Sequence, residues 1–179
     1  MPVLETRTQL WPDEAACQRH AEALASCWLA LSPAARDAAT DRRHGVGAVI
    51  ELHGTLGVGK TTWVRHLLRA LGVQGTIKSP SYTVLESYDT AAGTVAHFDF
   101  YRFRDPQEWE DAGFREVYAG AGLKLAEWPE KAQGLLPVPD LVMRLECPNP
   151  TAPGELDAAT TVRQLTLQAF TPTGLQLLP

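Results

Sequence analysis

Lysine is scarce in this chain of 179 residues, and long apolar runs are absent. Only four lysines occur, and the formal net charge is -5. Because strong non-specific binding of nucleic acid normally needs clustered Lys and Arg, any nucleic acid substrate is expected to be held mainly by a partner. No stretch approaches the ~20 apolar residues of a membrane span, and the N-terminus has no apolar run suited to a signal peptide. The sequence therefore predicts a soluble cytoplasmic protein.

Cysteine is also scarce. The three cysteines, Cys17, Cys27 and Cys147, are odd in number and widely spaced, and none forms a C-x-x-C pair. This arrangement argues against a zinc site or a disulfide framework and favours buried free thiols in a reducing compartment. The length and a hydrophobic fraction of 45% suit a single domain over residues 1–179 with a substantial core.

The first clear pattern in the chain predicts a helix from about Pro12 to Leu31. Pro12 suits the first helical position, and two acidic residues follow it at the positive end of the helix dipole. Apolar side chains recur at 4-3-4-3 spacing and therefore share one face: Cys17, Ala21, Leu24, Trp28 and Leu31. The next segment, residues 32–47, lacks sustained apolar periodicity and is predicted to be a surface-loop insertion.

A strand, a glycine-rich turn and a second helix come next. The apolar run Val46–His53 predicts a buried strand. The pattern over Lys60–Leu71 predicts an amphipathic helix that stops at Gly72. Two further segments, Tyr82–Tyr88 and Thr94–Phe100, flank a turn and predict an antiparallel hairpin.

The last part of the chain adds a short helix and three more strands. The segment from Asp105 to Glu108 has the spacing of a capping box and predicts a helix that ends near Gly113. The predicted strands are Leu123–Glu127, Asp140–Cys147 and Val162–Ala169, the last of them after a Pro-rich linker over residues 148–155. All these elements together predict an α/β fold with a mixed central sheet flanked by helices.

The glycine-rich segment Gly54-Thr-Leu-Gly-Val-Gly-Lys-Thr61 matches the pattern G-x-x-x-x-G-K-[ST] at every fixed position. Glycines let successive backbone N–H groups point into one concavity. The helix that follows presents its free N–H groups and its positive dipole end to the same anion. In this pattern Lys60 reaches the β- and γ-phosphates, and the Thr61 hydroxyl can ligate Mg²⁺. The sequence therefore predicts a P-loop that binds ATP and Mg²⁺.

Two acidic residues qualify as partners of the metal. A P-loop needs an acidic residue, usually at a strand end, to hold Mg²⁺ and to orient the attacking group. Asp99 ends the run that begins at Val95, and Glu127 ends the run that begins at Leu123. Because both are carboxylates at predicted strand ends, their positions do not rank them, and either could merely cap a following turn.

Several neighbouring polar residues each have two interpretations. His97 lies within an apolar strand, where a histidine is more often packed and hydrogen-bonded than reactive. Arg102 could stabilise charge on the γ-phosphate, as an arginine finger does, or form a salt bridge with a nearby carboxylate. The segment Ser79–Thr83 carries several hydroxyls and could sense the nucleotide, or it could be an ordinary turn into a strand.

Four segments follow one another in the chain: the P-loop extended to Thr62, Lys78-Ser-Pro-Ser-Tyr-Thr83, His97-Phe-Asp-Phe-Tyr-Arg102 and Glu127-Trp-Pro129. In this order they resemble the motifs of the TsaE (YjeE) family, the ATPase of bacterial tRNA threonylcarbamoyladenosine biosynthesis. The resemblance implies a compact P-loop α/β domain that binds ATP with Mg²⁺ and hydrolyses it slowly. It also implies association with the TsaB–TsaD pair, which transfers threonylcarbamoyl to adenosine 37 of tRNAs that read ANN codons. Contact with tRNA would then be indirect, through that complex.

The resemblance also implies roles for individual residues. The phosphates are cradled by one run of the P-loop, namely Gly57, Val58, Gly59, Lys60, Thr61 and Thr62. The metal ligands are Thr61 and Glu127. Asp99 lies beside the γ-phosphate and positions the attacking water, so Asp99 and Lys60 are the expected catalytic residues. Pro12 and Glu130 fall where members of the family contact the nucleotide.

Three features depart from the family pattern. Thr55 stands where the family usually has Asp, Ser81 replaces the usual threonine of the switch segment Ser79–Thr83, and the loop over residues 32–47 is longer than typical.

Two other functions share the nucleotide chemistry: a P-loop kinase that phosphorylates a small molecule, and a nucleotide-gated binding module without useful catalysis. A kinase usually needs a mobile, arginine-bearing lid, and the arginine-rich segment of this chain lies ahead of the P-loop, which is an awkward position for one.

Overall fold

The computed structural model describes residues 1–31, 47–105, 107, 109, 112–148 and 162–179. Its strands are β1 (Glu5–Trp11), β2 (Gly47–His53), β3 (Leu85–Thr90), β4 (Gly93–Asp99), β5 (Gly122–Glu127), β6 (Leu141–Glu146) and β7 (Arg163–Ala169). Over the described residues they form one sheet in the order β1-β7-β6-β2-β5-β4-β3. The pairs β2–β5, β2–β6 and β4–β5 are parallel, and the pairs β1–β7, β6–β7 and β3–β4 are antiparallel. The predicted mixed sheet is confirmed.

Helices cover both faces of this sheet. They are α1 (Glu14–Leu31), α2 (Lys60–Ala70), α3 (Phe114–Ala119) and α4 (Pro172–Gln176), with a 3₁₀ turn at Pro129–Ala132. Because side chains alternate along a strand, β2 supplies two cores: Ile50 packs with α1 and α2, and Val49 packs with an aromatic cluster that includes α3. The members of that cluster are Phe98, Phe100, Phe103, Trp109, Phe114 and Tyr118. Among the described residues, no helix is both long and apolar enough to cross a membrane.

Helix α1 begins two residues later than its sequence pattern predicts. The side chain of Asp13 accepts a hydrogen bond from the backbone N–H of Ala16 at 2.8 Å, which makes Asp13 the N-cap. Pro12 therefore precedes the cap, and the prediction that it occupies the first helical position is wrong. The predicted inner face is confirmed in its central part, since Cys17 and Trp28 are buried.

The strands and helices around the P-loop lie close to their predicted bounds. Helix α2 ends at Ala70, and Gly72 follows in the left-handed region with φ +93°. The antiparallel hairpin is confirmed as β3 and β4, but β3 begins at Leu85 and not at Tyr82. The backbone turns just before it, where the N–H of Val84 donates to the carbonyl of Pro80 at 2.6 Å and Val84 itself has φ +64°.

Three elements lack a sequence signal strong enough to predict them: β1, α3 and α4. Strand β1 is an edge strand whose residues are exposed on both faces, except at its ends, so it shows no alternation of polar and apolar residues. The predicted loop over 32–47 and the linker over 148–155 lie outside the described residues, apart from Gly47 and Pro148. Much of the helix predicted between Asp105 and Gly113 also lies outside them.

Candidate functional site

The glycine-rich turn connects β2 to α2 and needs glycine for two physical reasons. At Gly54, φ is +138°, and an added Cβ would lie 2.4 Å from the carbonyl oxygen of Leu145 on β6. Gly57 and Gly59 have open space around them, but their φ angles of +77° and +113° are ones that other residues rarely adopt. Buried Val58 fixes the tip of the turn, and its carbonyl accepts a hydrogen bond from Nε of Arg163 at 2.9 Å.

Lys60 is the first residue of α2 and is only 4% exposed. Its Nζ donates to the carbonyls of Gly54 at 2.6 Å and Thr55 at 3.0 Å, so the side chain folds back across the turn. The ammonium also lies 3.9 Å from the centroid of the Trp128 ring, within cation–π distance. Burial lowers the pKa of Lys60, and the nearby carboxylates, Glu127 foremost, oppose that shift. A buried cation is thus held inside the concavity of the loop.

The Thr61 hydroxyl and the Glu127 carboxylate are in direct contact. Oγ1 of Thr61 donates to the carboxylate, at 2.9 Å from Oε1 and 3.0 Å from Oε2. Glu127 is the last residue of β5 and is 2% exposed. On its other side, Nε2 of His97 lies 2.9 Å from Oε1.

Asp99, the last residue of β4, is 3% exposed and also faces the site. Its Oδ2 accepts a hydrogen bond from the Ser79 hydroxyl, and its Oδ1 accepts one from the backbone N–H of Tyr101 at 3.0 Å. Asp99 is the register partner of Glu127 on the neighbouring strand. The two carboxylates that the sequence left unranked therefore belong to one site and have different neighbours.

A cavity of about 340 Å³ opens above these groups. Its lining includes most of the residues that the sequence predicts for phosphate, metal and catalysis, namely Gly57, Gly59, Lys60, Thr61, Thr62, Asp99 and Glu127. Four more lining residues were given no individual role by the sequence, namely Leu56, Arg65, Tyr101 and Trp128, whereas Ser79 and Ser81 belong to the segment that was predicted to sense the nucleotide. Trp128 could have been found from its position after Glu127 in the Glu-Trp-Pro motif. It is also one of two described non-glycine residues with positive φ, +57°, which is a conformation that tends to occur at functional sites.

Three predicted nucleotide contacts lie away from this cavity. Glu130 lines a different cavity, of about 720 Å³, where its carboxylate lies 3.6 Å from Nδ1 of His53. Pro12 is exposed and lines neither of these cavities but a separate one, also of about 340 Å³, at the start of α1. The third contact, Val58, lines a smaller space of about 120 Å³ on another side of the P-loop, together with the two neighbours of Pro12. This space shares Gly57, Gly59 and Thr62 with the main cavity.

Arg102 reaches the mouth of the main cavity but is engaged with an aromatic side chain. Its guanidinium carbon lies 4.1 Å from the centroid of the Tyr82 ring, and one of its terminal nitrogens donates to the Tyr82 hydroxyl at 3.2 Å. Both side chains are exposed. Among the described residues Arg102 has no carboxylate in ion-pair contact, and its contact with the γ-phosphate stays a prediction.

The donor set fits Mg²⁺. Mg²⁺ takes oxygen ligands, keeps several waters, and usually binds through one or two carboxylates together with substrate phosphates. The Thr61 hydroxyl and the Glu127 carboxylate supply two such ligands at the floor of the cavity, and Asp99 lies beside them. No cluster of three or more His, Cys, Asp or Glu able to hold a metal occurs in the described part of the chain. A cation bound here would therefore take the rest of its shell from phosphate oxygens and water.

Comparison with known proteins gives consistent results. The family model described as "Threonylcarbamoyl adenosine biosynthesis protein TsaE" matches residues 13–152. A Haemophilus influenzae protein named tRNA threonylcarbamoyladenosine biosynthesis protein TsaE is 35% identical over 167 residues, which cover 93% of this chain and 99% of that protein. A Bacillus subtilis protein of the same name is 36% identical over 91 residues, 51% of this chain and 56% of its own. The crystal structure of YdiB from Bacillus subtilis superimposes with a TM-score of 0.68 over 99% of this chain and 93% of that one, at 19% identity, which is a likeness of fold.

Proposed function

The chain belongs to the TsaE family of threonylcarbamoyl adenosine biosynthesis proteins, and we propose that it is a Mg²⁺-dependent ATP-binding protein and a slow ATPase. The observation that carries this proposal is the convergence of Lys60, Thr61, Asp99 and Glu127 on one cavity beneath the glycine-rich turn. Two of these residues come from the P-loop and two from the ends of adjacent strands. At about 340 Å³, the cavity falls within the usual size range of small-ligand sites.

The P-loop supplies the binding energy for the phosphates. Its glycine conformations allow backbone N–H groups to point into the cavity, and the first turn of α2 can add its own N–H groups, which lack partners within the helix. Lys60 now donates to two backbone carbonyls of the loop. Phosphate oxygens are stronger acceptors than neutral carbonyls, so we expect the ammonium to turn toward them when ATP binds.

The two carboxylates have separate tasks in this proposal. Glu127 and Thr61 hold Mg²⁺, which when bound neutralises charge that develops on the phosphates during transfer. Asp99 is held by Ser79 and by a backbone N–H, so its orientation is fixed. From there it accepts a hydrogen bond from the attacking water and aligns it with the γ-phosphate.

The position of Arg102 supports the proposal that the protein alone hydrolyses ATP slowly. An arginine directed at the γ-phosphate commonly raises the rate of hydrolysis by orders of magnitude. Here the guanidinium is stacked on Tyr82 at the mouth of the cavity. A partner that separates the two side chains would free Arg102 and raise the rate, which agrees with a role for the protein inside a larger complex.

We infer further that the partner is the TsaB–TsaD pair and that the protein supports formation of threonylcarbamoyladenosine at position 37 of tRNAs that read ANN codons. The negative net charge and the small number of lysines support indirect contact with tRNA. Deletion of the gene should deplete threonylcarbamoyladenosine in bulk tRNA, measured by mass spectrometry. Normal levels in the deletion strain would contradict this role.

A second experiment separates an ATPase of this kind from a kinase. Purified protein should release phosphate from ATP slowly, and addition of the TsaB–TsaD pair should accelerate release. Transfer of the γ-phosphate to a nucleoside or a small metabolite, tested with a panel of acceptors, would instead favour the kinase function.

A further inference from the structure

The side chain of His97 on β4 is completely buried and, among the described residues, makes one hydrogen bond, to the side chain of Glu127. Its exposure is 0%, and Nε2 lies 2.9 Å from Oε1 of Glu127. His97 and Asp99 are two residues apart on β4, so both side chains point to the face that carries α2 and the P-loop. The histidine therefore lies behind the carboxylate, on the side away from the cavity, whose lining does not include it.

The hydrogen-bond chemistry fixes which ring nitrogen carries the proton. An ionised carboxylate can only accept, so Nε2 of His97 donates to Glu127. The other ring nitrogen, Nδ1, is buried and has no hydrogen-bond partner among the described residues. An unpaired buried polar atom destabilises the folded state, and an apolar side chain could fill the same space without that cost. The chemical reason for a histidine at this position is thus its contact with Glu127.

We propose that His97 is a positioning residue for Glu127, holding its carboxylate in the orientation that binds Mg²⁺. This inference rests on the proposed function, in which Glu127 ligates the metal. Two side-chain donors contact the carboxylate, the Thr61 hydroxyl and His97. The Thr61 oxygen is itself a proposed ligand, whereas His97 stays outside the coordination shell. Donors behind a metal ligand orient it, and their removal commonly weakens metal affinity by about 10–100-fold.

The test compares His97→Leu with His97→Gln. Leucine fills the space and removes the donor, whereas glutamine can bring its side-chain N–H to the position of Nε2. Binding of a fluorescent ATP analogue is titrated with Mg²⁺, and binding of the analogue is also measured in EDTA. The Mg²⁺ concentration at half-saturation should rise by about 10-fold or more in His97→Leu and return close to the wild-type value in His97→Gln. Binding in EDTA should be the same in all the proteins.

The matched control is His66→Gln. His66 also bonds a glutamate, Glu14 of α1 at 3.1 Å, but is only partly buried and lines none of the three cavities beside the P-loop. Its Mg²⁺ dependence should equal that of the wild type. In nucleotide-free wild-type protein with ¹⁵N-labelled histidine, NMR should detect the Nε2–H tautomer of His97 with a ring proton that exchanges slowly with water.

The possible results distinguish the inference from the function on which it rests. If the wild type binds nucleotide equally well with and without Mg²⁺, the proposed function and the inference are overturned together. The inference alone would be overturned if the wild type needs Mg²⁺ but the Mg²⁺ midpoint of His97→Leu is unchanged. It would also be overturned if His97→Leu loses as much nucleotide binding in EDTA as it does with Mg²⁺. If His97→Leu does not fold, the His97→Gln titration and the tautomer decide, and an Nδ1–H tautomer or a raised midpoint in His97→Gln would contradict the inference.

Discussion

Asp99 and Glu127 lie directly opposite each other in the register of two adjacent parallel strands, β4 and β5. The strand on the other side of β5 is β2, and it is also parallel. Because the carboxyl ends of parallel strands meet at one edge of a sheet, this order brings both carboxylates and the P-loop that follows β2 to the same place. The sheet order thus assembles the site from segments that are far apart in the sequence.

Glu127→Gln should weaken Mg²⁺ dependence. Glutamine preserves the shape and can still accept from Thr61, but it removes the negative charge that favours a hard divalent cation. We expect ATP binding in the presence of Mg²⁺ to fall toward the level seen in EDTA, with little change in the EDTA value itself. The affinity for ATP is measured by calorimetric titration at a series of Mg²⁺ concentrations. An unchanged Mg²⁺ titration would remove Glu127 from the metal shell.

Asp99→Asn should separate hydrolysis from binding. The amide keeps an acceptor for Ser79 but is a much weaker base, and loss of a positioned base typically costs about 10²–10⁴-fold in rate. Phosphate release should therefore drop while ATP affinity stays near the wild-type value. Asp89→Asn is the matched control, since Asp89 is an exposed carboxylate of the same hairpin. Normal pathway function with Asp99→Asn would favour the binding module without useful catalysis.

Gly54→Ala should destabilise the fold more than Gly72→Ala does. Both glycines have positive φ, at which a side chain costs roughly 1–3 kcal/mol. At Gly72 a Cβ meets open space, whereas at Gly54 it would lie 2.4 Å from the carbonyl oxygen of Leu145. Urea denaturation should give a larger loss in the free energy of unfolding for Gly54→Ala. Equal losses would mean that the approach of β6 to the P-loop is looser than described.

The P-loop, its flanking strand and helix, and both carboxylates could be found from the sequence because each depends on local pattern. The Glu127–His97 contact could not, since it joins residues 30 positions apart and depends on the pairing of β4 with β5. The position of Trp128 over Lys60 depends likewise on a left-handed backbone that no local rule predicts for tryptophan. Edge strand β1 escaped prediction because it is exposed on both faces and so shows no alternation.

His20 should make the protein less stable as pH falls. Burial lowers the pKa of His20 to about 4, below the usual value near 6.5. The neutral ring accepts a hydrogen bond at Nδ1 from the Trp63 indole N–H at 2.9 Å, which a protonated ring cannot do. Between pH 6.5 and 4 the unfolded chain binds the proton and the folded one does not, so the free energy of unfolding falls by up to about 3 kcal/mol over that range.

The measurement for His20 is urea denaturation at a series of pH values. His20→Asn should lose the part of the pH dependence between 6.5 and 4 that belongs to this histidine, although it is less stable at neutral pH. Parallel pH profiles for wild type and His20→Asn would contradict this account of α1 and α2 packing.

We propose that the P-loop and the buried ammonium of Lys60 bind the triphosphate of ATP, and calorimetric titration of ATP with Mg²⁺ into wild type, Lys60→Ala and Lys131→Ala decides this claim. Lys131 is exposed and lines none of the cavities beside the P-loop. We expect the wild type and Lys131→Ala to bind alike. Lys60→Ala should bind about 10–100-fold more weakly, because a charge-assisted hydrogen bond is worth roughly 1.5–3 kcal/mol. Equal affinity in Lys60→Ala and wild type, or no binding by the wild type, would contradict the claim.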